Sequence, residues 1–420
     1  MAVRTSRSRS SAELIVRRCS VLAALVVAAL AWPATGSSRV ADPPPAGALA
    51  AALRSSGVSA GKTGVLVLDL DNGTTVFGRN TAKSLAPAST EKLTVALAAL
   101  QELGPRFRIE TVVLGSGSRS GSVWNGDLVL VGRGDPSLTR GDLRNLARQV
   151  RLLGIRSVKG RVVGDETFFD SRRTAPGWKP SFYKLESAPL SALIVDEAWL
   201  DRKQRDRPAL AAATVFRRAL RAAGVSIRGK PVGGTAPAGT VRLAGVTSPT
   251  IARLVDHMNT ESDNFFAEML LKQLGARELR LGTTAAGASV VRRVLAERRV
   301  PLAGVRIVDG SGLSRLDRLT ARALSALLLS AWKDPSIARP FKASLAIAGV
   351  NGTLEDRMRS GPAHGIVRAK TGTTSVASAL AGYVGAGYVF SVLMNGNPVP
   401  YWTARTAQDR FVQRLARSLP

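Results

Sequence analysis

Strands predicted near both ends of the chain constrain its fold more than any other feature of the sequence. The apolar run TGVLVLD at residues 63–69 is followed by the turn residues at 71–73 and by a short return strand at 74–77. This order predicts a β-hairpin. A second hairpin is predicted at residues 379–383 and 388–394. Because helical periodicity dominates much of the chain between them, we expect one sheet closed by both termini around a cluster of helices, an α+β fold.

The interior of the chain divides into a helical part and a strand-rich part. Apolar spacing predicts long helices at residues 251–274, 285–298 and 320–332, and a final helix at about 402–419. Residues 107–245 are instead rich in valine, glycine and turn pairs, with one helix at about 210–223, which favours a mostly β insertion. The predicted domain sequence is therefore a main domain in two parts around an inserted segment: 49–106, 107–245 and 246–420.

The first 36 residues have the pattern of a signal peptide. Five arginines precede an apolar stretch at residues 21–32, which suits a signal-peptide core and is too short to span a bilayer. An uncleaved anchor is the alternative. Residues 37–48, with three consecutive prolines, are predicted to be a linker. We therefore expect export to the periplasm, the cell wall or the medium. The only cysteine, Cys19, lies in this leader, which excludes thiol chemistry in the mature chain.

The chain is strongly basic, with 59 Lys and Arg against 30 Asp and Glu and a formal charge of +29. Nucleic-acid binding is disfavoured because the basic residues are scattered and only 5% of residues are aromatic. An exported basic protein would be attracted to anionic wall polymers or to a membrane surface. A codon bias toward arginine on a solvated surface explains the charge equally well.

Three short polar patterns carry the chemistry. They are STEK at residues 89–92, SDN at 262–264 and KTGT at 370–373. Short patterns recur by chance, and the chain also contains an S-x-x-K at 181–184 and a K-T-G at 62–64. The S-x-x-K at 181–184 lies in a run without helical periodicity, and the K-T-G at 62–64 comes before every other pattern in the chain. Only STEK, SDN and KTGT follow one another in the order S-x-x-K, S-x-N, K-T-G and also lie in or next to predicted helices or strands.

A serine hydroxyl is a poor nucleophile until a neighbouring base removes its proton. Positions three apart share one face of a helix, so Lys92 can reach Ser89. A lysine in apolar surroundings near a second cation has a lowered pKa and can act as that base, and Lys370 could supply the second charge. Exposed N–H groups at a helix start can hold an oxyanion. Taken singly, the same residues fit helix caps, turns and solvated lysines.

In combination, the motifs resemble those of the serine penicillin-recognising enzymes. Within that superfamily the chain is similar to the DacB-type D-alanyl-D-alanine carboxypeptidase/endopeptidases, the class C low-molecular-mass penicillin-binding proteins. The runs that carry the resemblance lie at residues 87–92, 126–128, 134–138, 257–264, 309–314, 348–354 and 370–373. The resemblance implies a penicillin-binding/β-lactamase-like transpeptidase domain, an antiparallel sheet with a helical cluster, that carries extra domains after the first motif.

The resemblance also implies the catalytic residues. Ser89 would be acylated by the peptide, with Lys92 as its base. Ser262 would relay protons, Asn264 would bind the substrate amide and Lys370 would polarise the relay.

The substrate-binding residues implied are Thr371, Gly372 and Thr373. The two threonines would hold the terminal carboxylate of the substrate, and the backbone N–H groups of Ser89 and Thr373 would form the oxyanion hole. The substrates would be peptidoglycan stem peptides ending in D-Ala-D-Ala, and β-lactams would acylate the same serine. No metal or other cofactor is implied, and two histidines without H-E-x-x-H spacing argue against a zinc carboxypeptidase.

Two other functions remain open on the sequence. A serine β-lactamase would use the same motifs, but it would normally lack the insertion and would need a deacylating glutamate that the sequence does not reveal. A non-catalytic wall-binding protein would explain the basic charge alone. If the chain is a D-Ala-D-Ala carboxypeptidase, the motifs are compatible both with cleavage of the terminal residue and with cleavage of cross-links.

Overall fold

The computed structural model describes residues 43–419. The predicted signal peptide, Cys19 and the first half of the predicted linker lie outside this range. The described residues belong to one compact unit, so the predicted domain boundaries at 106/107 and 245/246 stay predictions. In this part of the chain, no helix is long and apolar enough to cross a bilayer.

The described residues contain the following regular elements. The strands are β1 (Thr63–Asp69), β2 (Thr75–Arg79), β3 (Arg108–Ser120), β4 (Val123–Val131), β5 (Ser157–Val158), β6 (Val162–Asp165), β7 (Trp199–Leu200), β8 (Lys203–Gln204), β9 (Ser226–Ile227), β10 (Val232–Gly233), β11 (Val241–Thr250), β12 (Ala346–Ile347), β13 (Val367–Thr374), β14 (Ala377–Val384) and β15 (Tyr388–Asn395). The helices are α1 (Ala46–Arg54), α2 (Lys92–Ala98), α3 (Arg140–Leu152), α4 (Pro208–Ala222), α5 (Ile251–Thr260), α6 (Asn264–Glu278), α7 (Thr284–Glu297), α8 (Ala321–Lys333), α9 (Ala338–Ala343) and α10 (Tyr401–Ala416).

The first sheet joins strands from both ends of the chain. Its six antiparallel strands run in the order β12-β13-β14-β15-β1-β2. β1 pairs with β15, with Val65 opposite Val392. The prediction of one α+β sheet closed by both termini is therefore confirmed.

Both faces of the first sheet are covered. Leu66 and Leu68 of β1 belong to the core beneath the helical cluster of α2 and α5–α8. Val65 and Val67 belong to a second core, on the side of α1 and α10. A strand buried on both faces reads as a continuous apolar run, which explains the sequence of β1. α1 begins at Ala46, inside the segment predicted as a linker. The apolar residues of this helix pack into the second core, which explains why the segment is helical.

Residues 108–250 build a second sheet with a core of its own. The strand order is β10-β6-β4-β3-β11, with β5 between β4 and β9. α3 and α4 pack on this sheet through their buried residues. Apolar periodicity predicted α4 but not α3, a helix rich in arginine. Its signals are a capping box between Thr139 and Asp142 and a buried stripe at Leu143, Leu146 and Val150.

The helix predicted at residues 251–274 is in fact two helices, α5 and α6. The chain turns between them at Ser262, which has φ +62°. Asp263 then caps α6 by accepting a hydrogen bond from the Phe266 N–H at 2.9 Å. Periodicity could not show this break, because apolar residues continue on both sides of it. The interruption brings the polar residues 262–264 to the start of α6.

The attachment of α10 to the first sheet gives a stability test. Phe411 is fully buried and its ring packs edge-on against Phe77, with centroids 5.8 Å apart. Because Phe411→Ala leaves a cavity in this core, we expect it to lower the free energy of unfolding by about 3–5 kcal/mol. Arg414→Ala, on the exposed face of the same helix, should change it by less than about 0.5 kcal/mol. Guanidinium denaturation measures both; equal midpoints for the two variants would contradict this packing.

Candidate active site

Ser89 lies on a tight turn that leads into a buried helix. Residues Ala88–Glu91 form a 3-10 turn, and every residue of the α2 helix that follows is buried. Ala88 has φ +48°, an uncommon conformation for a residue with a side chain. A Cβ on Gly312 would stand 1.9 Å from the Ala88 carbonyl oxygen, so only glycine fits beside this turn. Burial of α2 therefore holds Ser89 in a fixed, half-exposed position.

The Lys92 amine is the meeting point of three separate segments. Its Nζ lies 3.0 Å from Ser89 Oγ, 2.7 Å from Asn264 Oδ1 and 2.8 Å from the Ser311 carbonyl oxygen. The side chain is fully buried. Asn264 also donates from Nδ2 to the Glu186 carbonyl at 2.9 Å, which fixes the orientation of its amide.

The second lysine, Lys370, contacts the serine of the second motif. Lys370 Nζ donates to Ser262 Oγ at 2.7 Å and to the Thr371 carbonyl at 2.9 Å. It is also fully buried, on β13, which lies between β12 and β14 in the first sheet. The left-handed turn at Ser262 directs its hydroxyl toward this lysine.

Burial controls the protonation of both lysines. It lowers the pKa of Lys92 to about 8, while the negative charges of Asp309 and Asp263 oppose the shift. Burial, together with the charge of Lys92, lowers the pKa of Lys370 well below its ordinary value. Burial is thus the largest cause of the lowered pKa of Lys92, rather than the charge of Lys370 expected from the motifs.

The residues 371–373 form one wall of the site. A Cβ on Gly372 would stand 2.8 Å from the Pro87 carbonyl oxygen, so β13 lies directly against the Ser89 turn. Thr371 donates from Oγ1 to Thr353 Oγ1 at 2.9 Å, and Thr373 is exposed. A cavity of about 340 Å³ opens in front of this wall and is lined by Ser89, Ser262, Thr353, Arg357, Thr371, Thr373, Tyr401 and Arg405. We call it the active-site cavity. The fold thus brings together all eight residues singled out from the motifs.

A cluster of buried carboxylates behind Lys92 was not predicted. Glu91, Glu268, Asp309 and Asp317 are all fully buried. Burial and the charge of Asp309 raise the pKa of Glu268 to about 8 and raise the pKa values of Glu91 and Asp317. Asp309 accepts hydrogen bonds from the Gly312 and Ser314 N–H groups, both at 2.7 Å.

This cluster shapes the loop that carries the Ser311 carbonyl. Glu268 Oε1 accepts from the Ser311 N–H at 2.9 Å, and Trp178 Nε1 donates to Asp309 at 2.8 Å. The sequence signal for this loop is the DGSGLS run at 309–314, which carries part of the family resemblance. Within residues 43–419, no group of His, Cys, Asp or Glu side chains has the arrangement of a metal site.

The second missed contribution comes from the strand-rich insertion. The Glu186 carbonyl, which receives the Asn264 amide, lies beside the S-x-x-K pattern at 181–184. Ser181 itself is exposed and does not line the active-site cavity. A backbone atom carries no residue preference, so the sequence offers no signal for this contact.

Comparison with known proteins supplies the family. The model of the D-Ala-D-Ala carboxypeptidase 3 (S13) family matches residues 46–204 and 202–418. The chain is 32% identical to a D-alanyl-D-alanine carboxypeptidase of Actinomadura sp. (strain R39), over 84% of this chain and 81% of that protein. It is 34% identical to a carboxypeptidase of Mycobacterium tuberculosis, over 81% of this chain and 77% of that protein.

The fold has a solved counterpart. The crystal structure of penicillin-binding protein 4 (dacB) from Haemophilus influenzae matches with a TM-score of 0.79 and 23% identity, over 88% of this chain and 99% of that one. The family expected from the motifs is therefore confirmed: this chain belongs to the D-Ala-D-Ala carboxypeptidase 3 (S13) family, whose members are serine-type peptidases.

Proposed function

We propose that the chain cleaves peptidoglycan stem peptides ending in D-Ala-D-Ala, with Ser89 as the nucleophile and Lys92 as its base. The observation that carries the proposal is the set of three contacts around Lys92 Nζ. An uncharged amine has two N–H donors and one lone pair. The Asn264 amide oxygen and the Ser311 carbonyl can only accept, so they take the two N–H groups. The lone pair is then left for the hydroxyl proton of Ser89.

The remaining motif residues fit the later steps. The attack of Ser89 Oγ on the peptide carbonyl forms a tetrahedral intermediate, whose oxyanion would be held by the Ser89 and Thr373 backbone N–H groups. The departing D-alanine needs a proton on its amine. Ser262 would deliver it, because its hydroxyl contacts Lys370 at 2.7 Å and so belongs to a proton-exchanging pair. Water then hydrolyses the acyl-serine and restores the enzyme.

β-Lactams would acylate the same serine. Their strained ring presents a carbonyl to Ser89, and ring opening leaves the amine tethered to the acyl group, so the leaving group cannot diffuse away. The H. influenzae protein has been solved in complex with a β-lactam. Because peptidoglycan lies outside the cytoplasmic membrane, the proposal includes export of this chain, in agreement with its signal-like leader.

The chain offers a matched pair of serines for a labelling test. We expect Ser89→Ala to abolish covalent labelling by a fluorescent penicillin, because the variant lacks the attacking oxygen. Ser181→Ala changes an exposed serine with the same S-x-x-K spacing and should retain full labelling. Gel fluorescence and intact mass report both. Labelling that survives in Ser89→Ala, or is lost in Ser181→Ala, would overturn the assignment of the nucleophile.

The lowered pKa of Lys92 predicts a pH dependence. A protonated amine cannot accept the serine proton, so the acylation rate should rise with pH and level off above the pKa of Lys92, about 8. Below that value we expect the rate to fall about tenfold per pH unit. Stopped-flow acylation by a chromogenic β-lactam between pH 5 and 10 measures this. A rate that is constant over the range, or that decreases from pH 6 to 8, contradicts a role of Lys92 as the base.

We also propose that the basic surface attracts anionic wall polymers. Four arginines, Arg359, Arg410, Arg414 and Arg417, line a groove of about 580 Å³ between α10 and residues 358–362. We call it the basic groove. Arg414 and Arg417 have no carboxylate partner within 4.0 Å among the residues that the structure describes. Such an excess of charge in a concave surface attracts polyanions.

The test of this proposal compares two sets of arginines. Replacing Arg410, Arg414 and Arg417 by Gln should reduce co-sedimentation with phosphate-rich cell walls at least fivefold at low salt, and 0.5 M NaCl should abolish the difference. A matched triple variant removes the same charge from the strand-rich insertion, at Arg119, Arg221 and Arg228, which are also exposed. Equal losses in the two triple variants would show that net charge alone, and not the basic groove, controls binding.

A further inference from the structure

We infer that Arg405, on α10, binds the carboxylate of the residue that leaves, and thereby makes the enzyme specific for substrates with a free acid beside the scissile bond. The inference rests on the proposed function of Ser89. Arg405 lies outside all three motifs and outside the runs that carry the family resemblance. It lines the same active-site cavity as Ser89, together with Thr371 and Thr373. A substrate whose carbonyl is in contact with Ser89 therefore occupies the space that Arg405 faces.

The charges around the cavity are unbalanced. Arg357 is nearly buried and donates from Nε and Nη2 to Asp409 Oδ1, at 2.9 and 2.6 Å. Asp409 is therefore engaged by Arg357. Arg405 has no carboxylate within 4.0 Å among residues 43–419. One guanidinium at the cavity thus lacks an anion, and a carboxylate from the substrate would supply it.

Arg405 is held in position by its neighbours. Its Nη1 donates to the Tyr401 hydroxyl, and its guanidinium lies over the Tyr401 ring at 4.9 Å and the Trp402 ring at 5.8 Å. Its carbonyl oxygen accepts a bond from Arg357 Nη2 at 3.4 Å. Stacking on aromatic rings orients a guanidinium without using all of its five N–H donors. The remaining donors are available for a planar carboxylate.

The threonines of β13 alone are poorly suited to hold an anion. Thr371 and Thr373 offer neutral hydroxyl donors, and Thr371 already donates to Thr353. A carboxylate that leaves water for a half-enclosed cavity needs a charged partner to offset its desolvation. A carboxylate in the active-site cavity would therefore be held by the threonines of β13 together with Arg405 of α10. An amide at the same position would gain much less from the guanidinium.

Two thioester substrates separate this inference from the proposed function. One is an N-acyl-D-alanyl thioester of thioglycolic acid, and the other is the same thioester with the acid converted to its primary amide. Both carry the same acyl group and the same scissile bond. We expect the wild-type enzyme to prefer the acid by about 10- to 100-fold in kcat/KM, the value of a charge-assisted hydrogen-bond pair. In Arg405→Gln the preference should fall at least tenfold. The fall should come from a lower kcat/KM for the acid, while kcat/KM for the amide stays unchanged.

Two further variants and labelling with penicillin test whether the preference for the acid depends on the Arg405 guanidinium itself. Arg405→Lys, which keeps the charge but not the planar fork, should retain an intermediate preference. Arg339→Gln removes an exposed arginine on α9, away from the cavity, and should leave the preference unchanged. Saturating labelled penicillin should still acylate Arg405→Gln stoichiometrically, which shows that its fold and Ser89 are intact.

The outcomes are distinct. If the wild-type enzyme hydrolyses neither thioester and takes no penicillin label, the proposed function fails. If it hydrolyses both and Arg405→Gln keeps the full preference for the acid, the proposed function stands and the role of Arg405 is overturned. A loss in Arg405→Gln that is equal for the acid and the amide also overturns it, because a purely structural effect does not discriminate between them.

Discussion

The site depends on one buried amine. Lys92 Nζ lies within 3.0 Å of atoms from its own turn, from the start of α6 and from the 309–314 loop. A buried lysine is costly unless each of its polar contacts is satisfied, so these segments are held at fixed distances from each other. Burial also lowers its pKa toward neutrality. The same burial thus creates the geometry of the site and the basicity that the proposed chemistry needs.

Two left-handed residues allow this convergence. Ala88 precedes the serine and Ser262 interrupts what would otherwise be one helix from α5 to α6. Each conformation costs of the order of 1 kcal/mol, which the surrounding core has to offset. The fully buried α2 and the largely buried α6 anchor the two turns. The strained positions therefore lie on rigid supports, as the placement of a nucleophile and its partners requires.

Much of this could be predicted from the sequence, and the reasons for the failures are physical. The terminal hairpins and the three motifs have strong local signals, since apolar runs and turn residues report on neighbours along the chain. The break at Ser262 was missed because periodicity reports which residues are apolar and not the sign of φ. α3 was missed because its buried stripe is hidden among arginines. The Glu186 carbonyl and the position of Arg405 depend on tertiary contacts, which short-range patterns do not encode.

The pairing of β1 with β15 has a consequence for how the molecule matures. Thr63 lies opposite Met394, so β1 finds its neighbour β15 only after residue 394 has been made. Contacts that are so distant along the chain form late, because a very large loop has to close first. Until then β13, with Lys370, has no completed sheet to rest on. A nascent chain that stops short of β15 therefore lacks the completed sheet that supports the contact between Lys370 and Ser262.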